Sequence, residues 1–440
     1  MTSRIRKLRA GFHKNRAIVA LGAIALLAEL GYATMIQSAL PPYVVKELKL
    51  GAAWLGWIMA TFLLVEAVFR PSLGALGDRI GRKPLLVAGP IASCLSAFLI
   101  AGATDPRAIL ALRVLDGLGA AAIWPTAFAL VGDTVEERNR SAAMSVLNVT
   151  YMSGIALGPL LGGVISQYTL GQPRDGAYVH HIPLLGRVVN DYAGSQRYVF
   201  YVVSLLFALT FLVAVMRLPS HKKQRGKQPE GGDSTERHLV SLLRSIRAMP
   251  RLLVTVFLAF LGIGLLIPVV KLFAMDVLKL SEKGFGALLL PVAGALALLA
   301  LPLGRLGDKW GKSESVKLGV SLSALAMWII AIVRWAPGLV LAGSLLGVGF
   351  LIAMPAWLAL ISDLTSSSNR GQVLGAVGMA QGFGAIVGAV VAGYLYDGKP
   401  RIAGIDPRVA PLLASAVLLT VTALLTFVLF GRKKPESESD

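Results

Sequence analysis

The chain has 440 residues, 55% of them hydrophobic and only 15% charged, against about 45–50% and about 25% in soluble domains. That balance excludes water as the main solvent for its surface and places the chain in a bilayer. The formal net charge of +19 is not a nucleic-acid footprint, because the cations lie in short polar stretches between apolar runs.

Crossing ~30 Å of hydrocarbon takes about 20 helical residues. Runs of that kind fall at 17–45, 52–76, 85–103, 107–132, 142–166, 198–216, 252–278, 284–304, 316–334, 337–362, 372–396 and 409–430, twelve in all. A basic stretch from Arg4 to Arg16 precedes the first run and imitates a secretory signal. The run continues through Leu40, too long for a signal peptide, so an uncleaved first helix is expected. Cys94, in the third run, is the single cysteine; it can form no intrachain disulfide and is read as packing.

Between the fifth and sixth runs, Gln167 to Arg197 is the longest loop on its side. Tyr178 to Val189 predicts a short hairpin around Gly186. His180 and His181 are neighbours and on one strand would point to opposite faces, a poor start for a metal site; both are expected at the surface. Residues 217–251 read as a polar linker between an N-terminal domain, 1–216, and a C-terminal domain, 252–440. Leu239, Leu242, Leu243 and Ile246 recur at helical spacing opposite Arg244 and Arg247, which fits either an amphipathic helix on the membrane surface or a lead-in to the seventh run. Roughly two thirds of the Lys and Arg residues fall in the termini and even-to-odd loops, so both termini are expected in the cytoplasm, next to anionic lipid headgroups.

Two stretches repeat at an offset of 230 residues: Gly74-Ala-Leu-Gly-Asp78-Arg79-Ile-Gly81-Arg82-Lys83 and Gly304-Arg-Leu-Gly-Asp308-Lys309-Trp-Gly311-Lys312. The same offset carries Pro125 onto Pro355, Asp133 onto Asp363, Asn139-Arg140 onto Asn369-Arg370, and Gly117 and Gly119 onto Gly347 and Gly349. It also carries Gly154, Gly158 and Gly163 onto Gly384, Gly388 and Gly393. The expected fold is therefore an all-α membrane protein of two pseudo-symmetric six-helix bundles.

The repeated turns resemble the loop signature of the major facilitator superfamily, and the resemblance covers all twelve runs. It implies a cytoplasmic gating motif at Gly74, Asp78, Arg79, Gly81, Arg82 and Lys83, with Asp308 as its second copy. A topology anchor is the other reading, favoured at Asp308, where cations are fewer. Leu112-Arg113-Val-Leu-Asp116-Gly117-Leu-Gly119 through Pro125 resembles the family motif whose arginine is implicated in proton coupling. This chain departs from it at Asp116, where glutamine is commoner. Gly154, Gly158, Pro159, Gly162 and Gly163 resemble the antiporter signature of the drug:proton antiporter branch; generic close helix packing is the alternative.

Under the 230 offset, Glu29 meets Ala259, Glu66 meets Leu296, Arg70 meets Ala300, Arg113 meets Gly343 and Asp116 meets Leu346. A scaffold role would be needed in both copies, so Glu29, Asp116, Arg113 and Glu66 are the candidate proton-coupling residues. At ~1.5 Å per helical residue these four share one half of the membrane's depth. Desolvation and the Arg113 charge would act on their protonation in opposite senses. Glu66 and Arg70 also fit a local ion bridge, and Lys271 is expected to snorkel to the interface. The substrate cavity is expected to draw on Tyr32, Gln37 and Tyr151 from the first half and on Met275, Met354, Trp357, Met379, Gln381 and Phe383 from the second.

Together these features predict a monomeric secondary transporter of the plasma or bacterial inner membrane, exporting drug-like or amphipathic molecules by alternating access in exchange for protons. A lipid or glycolipid flippase of the same fold is the second reading, and a non-transporting receptor or scaffold the third. No cofactor, metal or nucleic-acid partner is expected, and no enzyme, because no nucleophile, base and oxyanion arrangement is visible.

Overall fold

The computed structural model describes residues 2–135, 137–169, 171–174, 177–182, 184–190, 195–218, 250–304, 310–364, 370–398 and 405–430. The linker with its amphipathic pattern, together with Asp308 and Asn369, lies outside the described residues. In chain order the helices are α1 (Thr2–Ala33), α2 (Ala52–Ile80), α3 (Arg82–Ile100), α4 (Pro106–Thr134), α5 (Glu137–Tyr168) and α6 (Gln196–Arg217). The second repeat adds α7 (Pro250–Leu266), α8 (Val270–Asp276), α9 (Glu282–Gly304), α10 (Lys312–Ile332), α11 (Ala336–Leu364), α12 (Arg370–Asp397) and α13 (Ala410–Leu429). Among the described residues, eleven helices are long and apolar enough to cross a membrane. The run 284–304 falls on α9.

Helix ends follow local chemistry. Asp105 accepts a hydrogen bond from the Arg107 amide at 2.9 Å, and Pro106 supplies the first helical residue, so α4 starts cleanly. α1 does not stop at Ala33 but widens into π-helical turns at Thr34–Ala39 and Tyr43–Glu47 around Leu40–Pro42. Pro41 and Pro42 have no amide hydrogen to give to a regular helix ladder. α7 breaks before Pro268 for the same reason, and the chain resumes as α8.

Contacts divide the chain into two compact units, residues 1–228 with 268–290, and residues 229–267 with 291–440. In the first, α1 packs on α5 and α6, and α3 on α4 and α6; in the second, α7 packs on α12 and α13, and α10 on α11 and α13. These four pairings are the same under the repeat. Its small residues explain why. A Cβ at Gly119 would lie 2.8 Å from the Gly89 carbonyl and 2.4 Å from Ser93 Oγ, and one at Gly349 would lie 2.5 Å from both the Gly319 carbonyl and Ser323 Oγ. Gly81 and Gly311 hold matching φ values of 99° and 90° at the charged turns, where a side chain would be strained.

Among the described residues, strands occur only between α5 and α6: β1 (Gln172–Arg174), β2 (Ala177–Ile182) and β3 (Gly186–Asn190), antiparallel in the order β1-β2-β3. The expected hairpin is present, with its turn ahead of Gly186, which pairs with Ile182. His181 is exposed as expected, but His180 is buried at 2% exposure. Strand alternation turns His180 away from the face that His181 occupies, and its ring covers Gly171.

Gly119→Ala and Gly349→Ala should each cost about 1–3 kcal/mol, because backbone must move to admit the methyl group. Gly132→Ala, where a Cβ meets nothing within 4 Å, should be neutral or stabilising; thermal unfolding of the purified variants measures all three.

Candidate functional site

Close helix approach in α4 assembles the charged site. A Cβ at Gly117 would lie 2.9 Å from the Phe62 carbonyl, so α2 passes at van der Waals range on one side of the turn that carries Arg113 and Asp116. Gly119 brings in α3 on another. As a result the Arg113 guanidinium carbon lies 4.2 Å from the centre of the Phe62 ring. Ser93 on α3 shares a hydrogen bond of 2.7 Å with Tyr32 Oη and is close enough to act on the Asp116 carboxylate.

Arg113 and Asp116 are both 0% exposed and form an ion pair three residues apart on one helix face. The pair is incompletely satisfied: Arg113 Nε and Nη2 and Asp116 Oδ1 have no hydrogen-bonding partner among the described residues. Such a pair is poorly explained by stability, since an apolar pair of similar volume would fill the space at lower cost.

The small residues of α5 seat the helix that carries Glu29. A Cβ at Gly154 would lie 2.7 Å from Glu29 Cβ, one at Gly158 2.5 Å from Ala33 Cβ, and one at Gly162 2.4 Å from Ser38 Oγ. The Thr34 hydroxyl donates to the Gly158 carbonyl at 3.0 Å. Pro159 lies inside the same helix. Glu29 is 9% exposed and interacts electrostatically with Glu66. Glu66 is paired with Arg70, as the local-bridge reading has it, and Arg70 points outward at 53% side-chain exposure against 13% for Glu66.

Aromatic rings close the space around these carboxylates. Tyr32 lies 5.7 Å from Phe62, 6.4 Å from Trp124 and 4.8 Å from Phe207, and Trp124 meets Tyr151 edge-on at 4.8 Å. Glu29, Glu66, Arg113, Asp116, Tyr32 and Tyr151 thus lie in one unit. Gln37, two residues beyond the buried Met35, is half-buried.

Of the remaining cavity candidates, Met354, Trp357, Met379, Gln381 and Phe383 lie in the second unit. Trp357 belongs to the second unit's hydrophobic core with Leu252, Val256 and Val316, and its ring meets Phe430 edge-on at 5.8 Å. Met354 and Gln381 are half-buried, whereas Met379 and Phe383 are exposed. Met275 falls in the first unit. Lys271 does not snorkel: it is 1% exposed and salt-bridged to Glu282, with acceptors inside the protein in place of the water it would otherwise seek.

At the charged turn, Arg82 reaches Asp78 at 2.5 Å and Asp133 at 3.2 Å. Lys83 donates to the carbonyls of Val215 and Leu218 at 2.9 and 2.8 Å, closing the C-terminus of α6. Arg79 is exposed, and a Cβ at Gly74 would meet nothing within 4 Å. The repeat conserves one of these contacts in charge: Lys312 reaches Asp363 at 2.6 Å.

Ser93, Phe62 and Phe207 were not singled out from the sequence. Nothing in the spacing of a serine or phenylalanine within an apolar run distinguishes a site residue from packing. Trp124 had a usable signal, its place in the stretch that runs from Arg113 to Pro125.

Comparison with known proteins agrees with this architecture. The profile of the Major Facilitator Superfamily matches residues 22–296 and 252–440. "Multidrug resistance protein 2" of Bacillus subtilis (strain 168) is 23% identical over 358 residues, covering 81% of this chain and 83% of the relative. "Tetracycline resistance protein, class B" of Escherichia coli is 25% identical over 400 residues, covering 87% and 89%. Among solved structures, the nucleoside transporter NupG superposes with a TM-score of 0.72 at 15% identity, covering 95% of this chain and 100% of that one. A bacterial homologue of the human lysosomal transporter Spinster gives 0.72 at 17%, covering 96% and 99%. The chain belongs to the Major Facilitator Superfamily and is a multi-pass membrane transporter rather than an enzyme.

Proposed function

We propose that this transporter exports drug-like or amphipathic molecules in exchange for protons, by alternating access, with both termini in the cytoplasm of a plasma or bacterial inner membrane. The observation that carries the reading is the incompletely satisfied Arg113–Asp116 pair in the unit that also holds Glu29 and Glu66, with Glu66 in electrostatic reach of Glu29, Arg113 and Asp116. The repeat leaves Ala259, Leu296, Gly343 and Leu346 at the matching positions. Relatives named for multidrug and tetracycline resistance support the choice of cargo.

In this reading Asp116 and Glu29 hold the transported proton, and Arg113 keeps the site from carrying two uncompensated negative charges. Tyr32, Phe62, Trp124 and Tyr151 offer flat faces to an apolar or cationic cargo. Cargo and proton compete, because a protonated carboxylate no longer attracts a polar or cationic group. Gly74, Asp78, Arg79, Gly81, Arg82 and Lys83 are proposed to act at the cytoplasmic end, where the Arg82 contacts part during the cycle. The glycines and Pro159 of α5 hold the Glu29 helix at a fixed distance.

Everted vesicles energised by a proton gradient should accumulate tetracycline or a lipophilic fluorescent dye, and an uncoupler should abolish the accumulation. Asp116→Asn and Glu29→Gln should each lower gradient-driven uptake by about a hundredfold or more, as the loss of a coupling group requires. Asp116→Glu should retain part of the activity. Uptake that survives both neutral substitutions would refute the proton role, and movement of a labelled lipid with no drug uptake would favour a flippase.

Tyr32→Phe removes a hydrogen bond to Ser93 worth about 1 kcal/mol while keeping the ring stack. It should change apparent cargo affinity less than tenfold, whereas Trp124→Ala should weaken it more; dye-binding titrations of the purified variants compare them.

A further inference from the structure

A second buried charge cluster lies away from the Arg113 site, and the transport chemistry above makes no use of it. Lys271 on α8 donates from Nζ to Glu282 Oε2 at 2.8 Å, to the Ser38 carbonyl at 2.5 Å and to Ser38 Oγ at 3.2 Å. Those acceptors occupy all three of the ammonium's donors. Glu282, at the start of α9, receives Ser166 Oγ at 2.8 Å and Gln196 Nε2 at 2.7 Å on its other oxygen. Lys271 and Glu282 are 1% and 8% exposed.

The network continues through the start of α6. The Gln196 amide donates to Glu47 Oε2 at 3.0 Å, and Arg197 reaches Glu47 Oε1 at 2.7 Å and the Ala101 carbonyl at 2.7 Å. Nearby in sequence, Lys46 pairs with Asp276, the same position in the two repeats at an offset of 230. Backbones also touch: a Cβ at Gly163 would lie 2.4 Å from the Glu282 carbonyl, and one at Gly286 2.6 Å from the Pro159 carbonyl. The charged groups of this cluster are well hydrogen-bonded where those of the Arg113 pair are not, so the cluster holds helix ends together in this state rather than binding an exchangeable ligand.

The residues that meet come from different repeats. Lys271, Asp276 and Glu282 lie in the second repeat by sequence, yet residues 268–290 group with the first unit, where Ser38, Glu47, Ser166 and Gln196 lie. All of these contacts sit at the end of the helices opposite the Asp78 turn, the outer end in the proposed topology.

We propose that Lys271 and Glu282 form an outer latch, with Lys46 and Asp276 as its rim, which must part in each cycle for cargo to leave. The inference rests on the transport reading, but not on which cargo moves or whether protons drive it. Its physical signature is a pair of opposite effects. Glu282→Gln leaves Lys271 buried without its counter-charge, which disfavours the contact state. Lys271→Met with Glu282→Leu replaces a pair that gains hydration on opening with apolar groups that lose by it, which favours the contact state.

The test needs no cargo. In a Cys94→Ser background, Ala39→Cys places a reporter at a site that is 0% exposed, beside Ser38. Labelling by a membrane-impermeant maleimide added outside intact cells should rise at least about tenfold with Glu282→Gln, the expected cost of one unpaired buried charge. It should fall below the parent rate with the Lys271→Met and Glu282→Leu pair. If Glu282→Gln fails to reach the membrane, the apolar pair decides alone: slower labelling supports the latch, and unchanged or faster labelling overturns it. With both variants in hand, equal rates or shifts in the same direction overturn it, even if drug transport itself is confirmed.

Discussion

Burying charge in an apolar bundle is the constraint on which this structure turns. A charged side chain placed deep among hydrocarbon needs a partner of opposite sign and hydrogen bonds to its remaining polar atoms. The chain meets that demand in two ways. Around Lys271, Glu282, Glu47 and Arg197, the polar atoms find several partners at normal distances. At Arg113 and Asp116 the charges pair, but three of their polar atoms have no partner among the described residues. The difference separates a contact that holds helix ends together in this state from a site that can exchange what it holds.

Duplication supplies the frame for both. The turns with Gly81 and Gly311, the close contacts Gly89 with Gly119 and Gly319 with Gly349, and the pairs Arg82–Asp133 and Lys312–Asp363 are one construction used twice. Lys49 and Lys279 repeat even an uncommon positive φ, 55° and 56°. Buried charge is not duplicated: of the buried Asp, Glu, Lys and Arg residues among those described, only Lys317 falls in the second unit. Packing is thus common property of the repeats, while chemistry is concentrated in one unit.

How much of this was legible before the structure depended on whether a residue announces its own cost. Long apolar runs declare helices because nothing else satisfies backbone groups in lipid. Glu29, Glu66, Arg113 and Asp116 stood out because charge is rare at that depth, and the repeat showed that the fold does not require it. Ser93 and Phe62 carry no such cost and were silent, although they surround the Arg113–Asp116 pair. Lys271 was misread because distance from a helix end says how far a side chain must reach for water, not whether Ser38 and Glu282 have made the journey unnecessary. Trp357 matched the composition of a cavity wall, and in the second unit it packs with Leu252, Val256 and Val316, a setting that residue type alone does not announce. His180 shows the same limit on a smaller scale, since alternation separates it from His181 without saying which face is covered.

The central claim is that cargo and proton exclude one another at the Glu29 and Asp116 carboxylates. The most direct test is to add a tightly binding cargo to purified protein in weakly buffered solution and to measure the proton released. The account predicts release from the parent protein and none from the Glu29→Gln and Asp116→Asn double variant. Cargo binding by the parent protein with no proton release anywhere in the pH range over which it binds cargo would contradict it, because mutual exclusion requires the proton to leave as cargo enters.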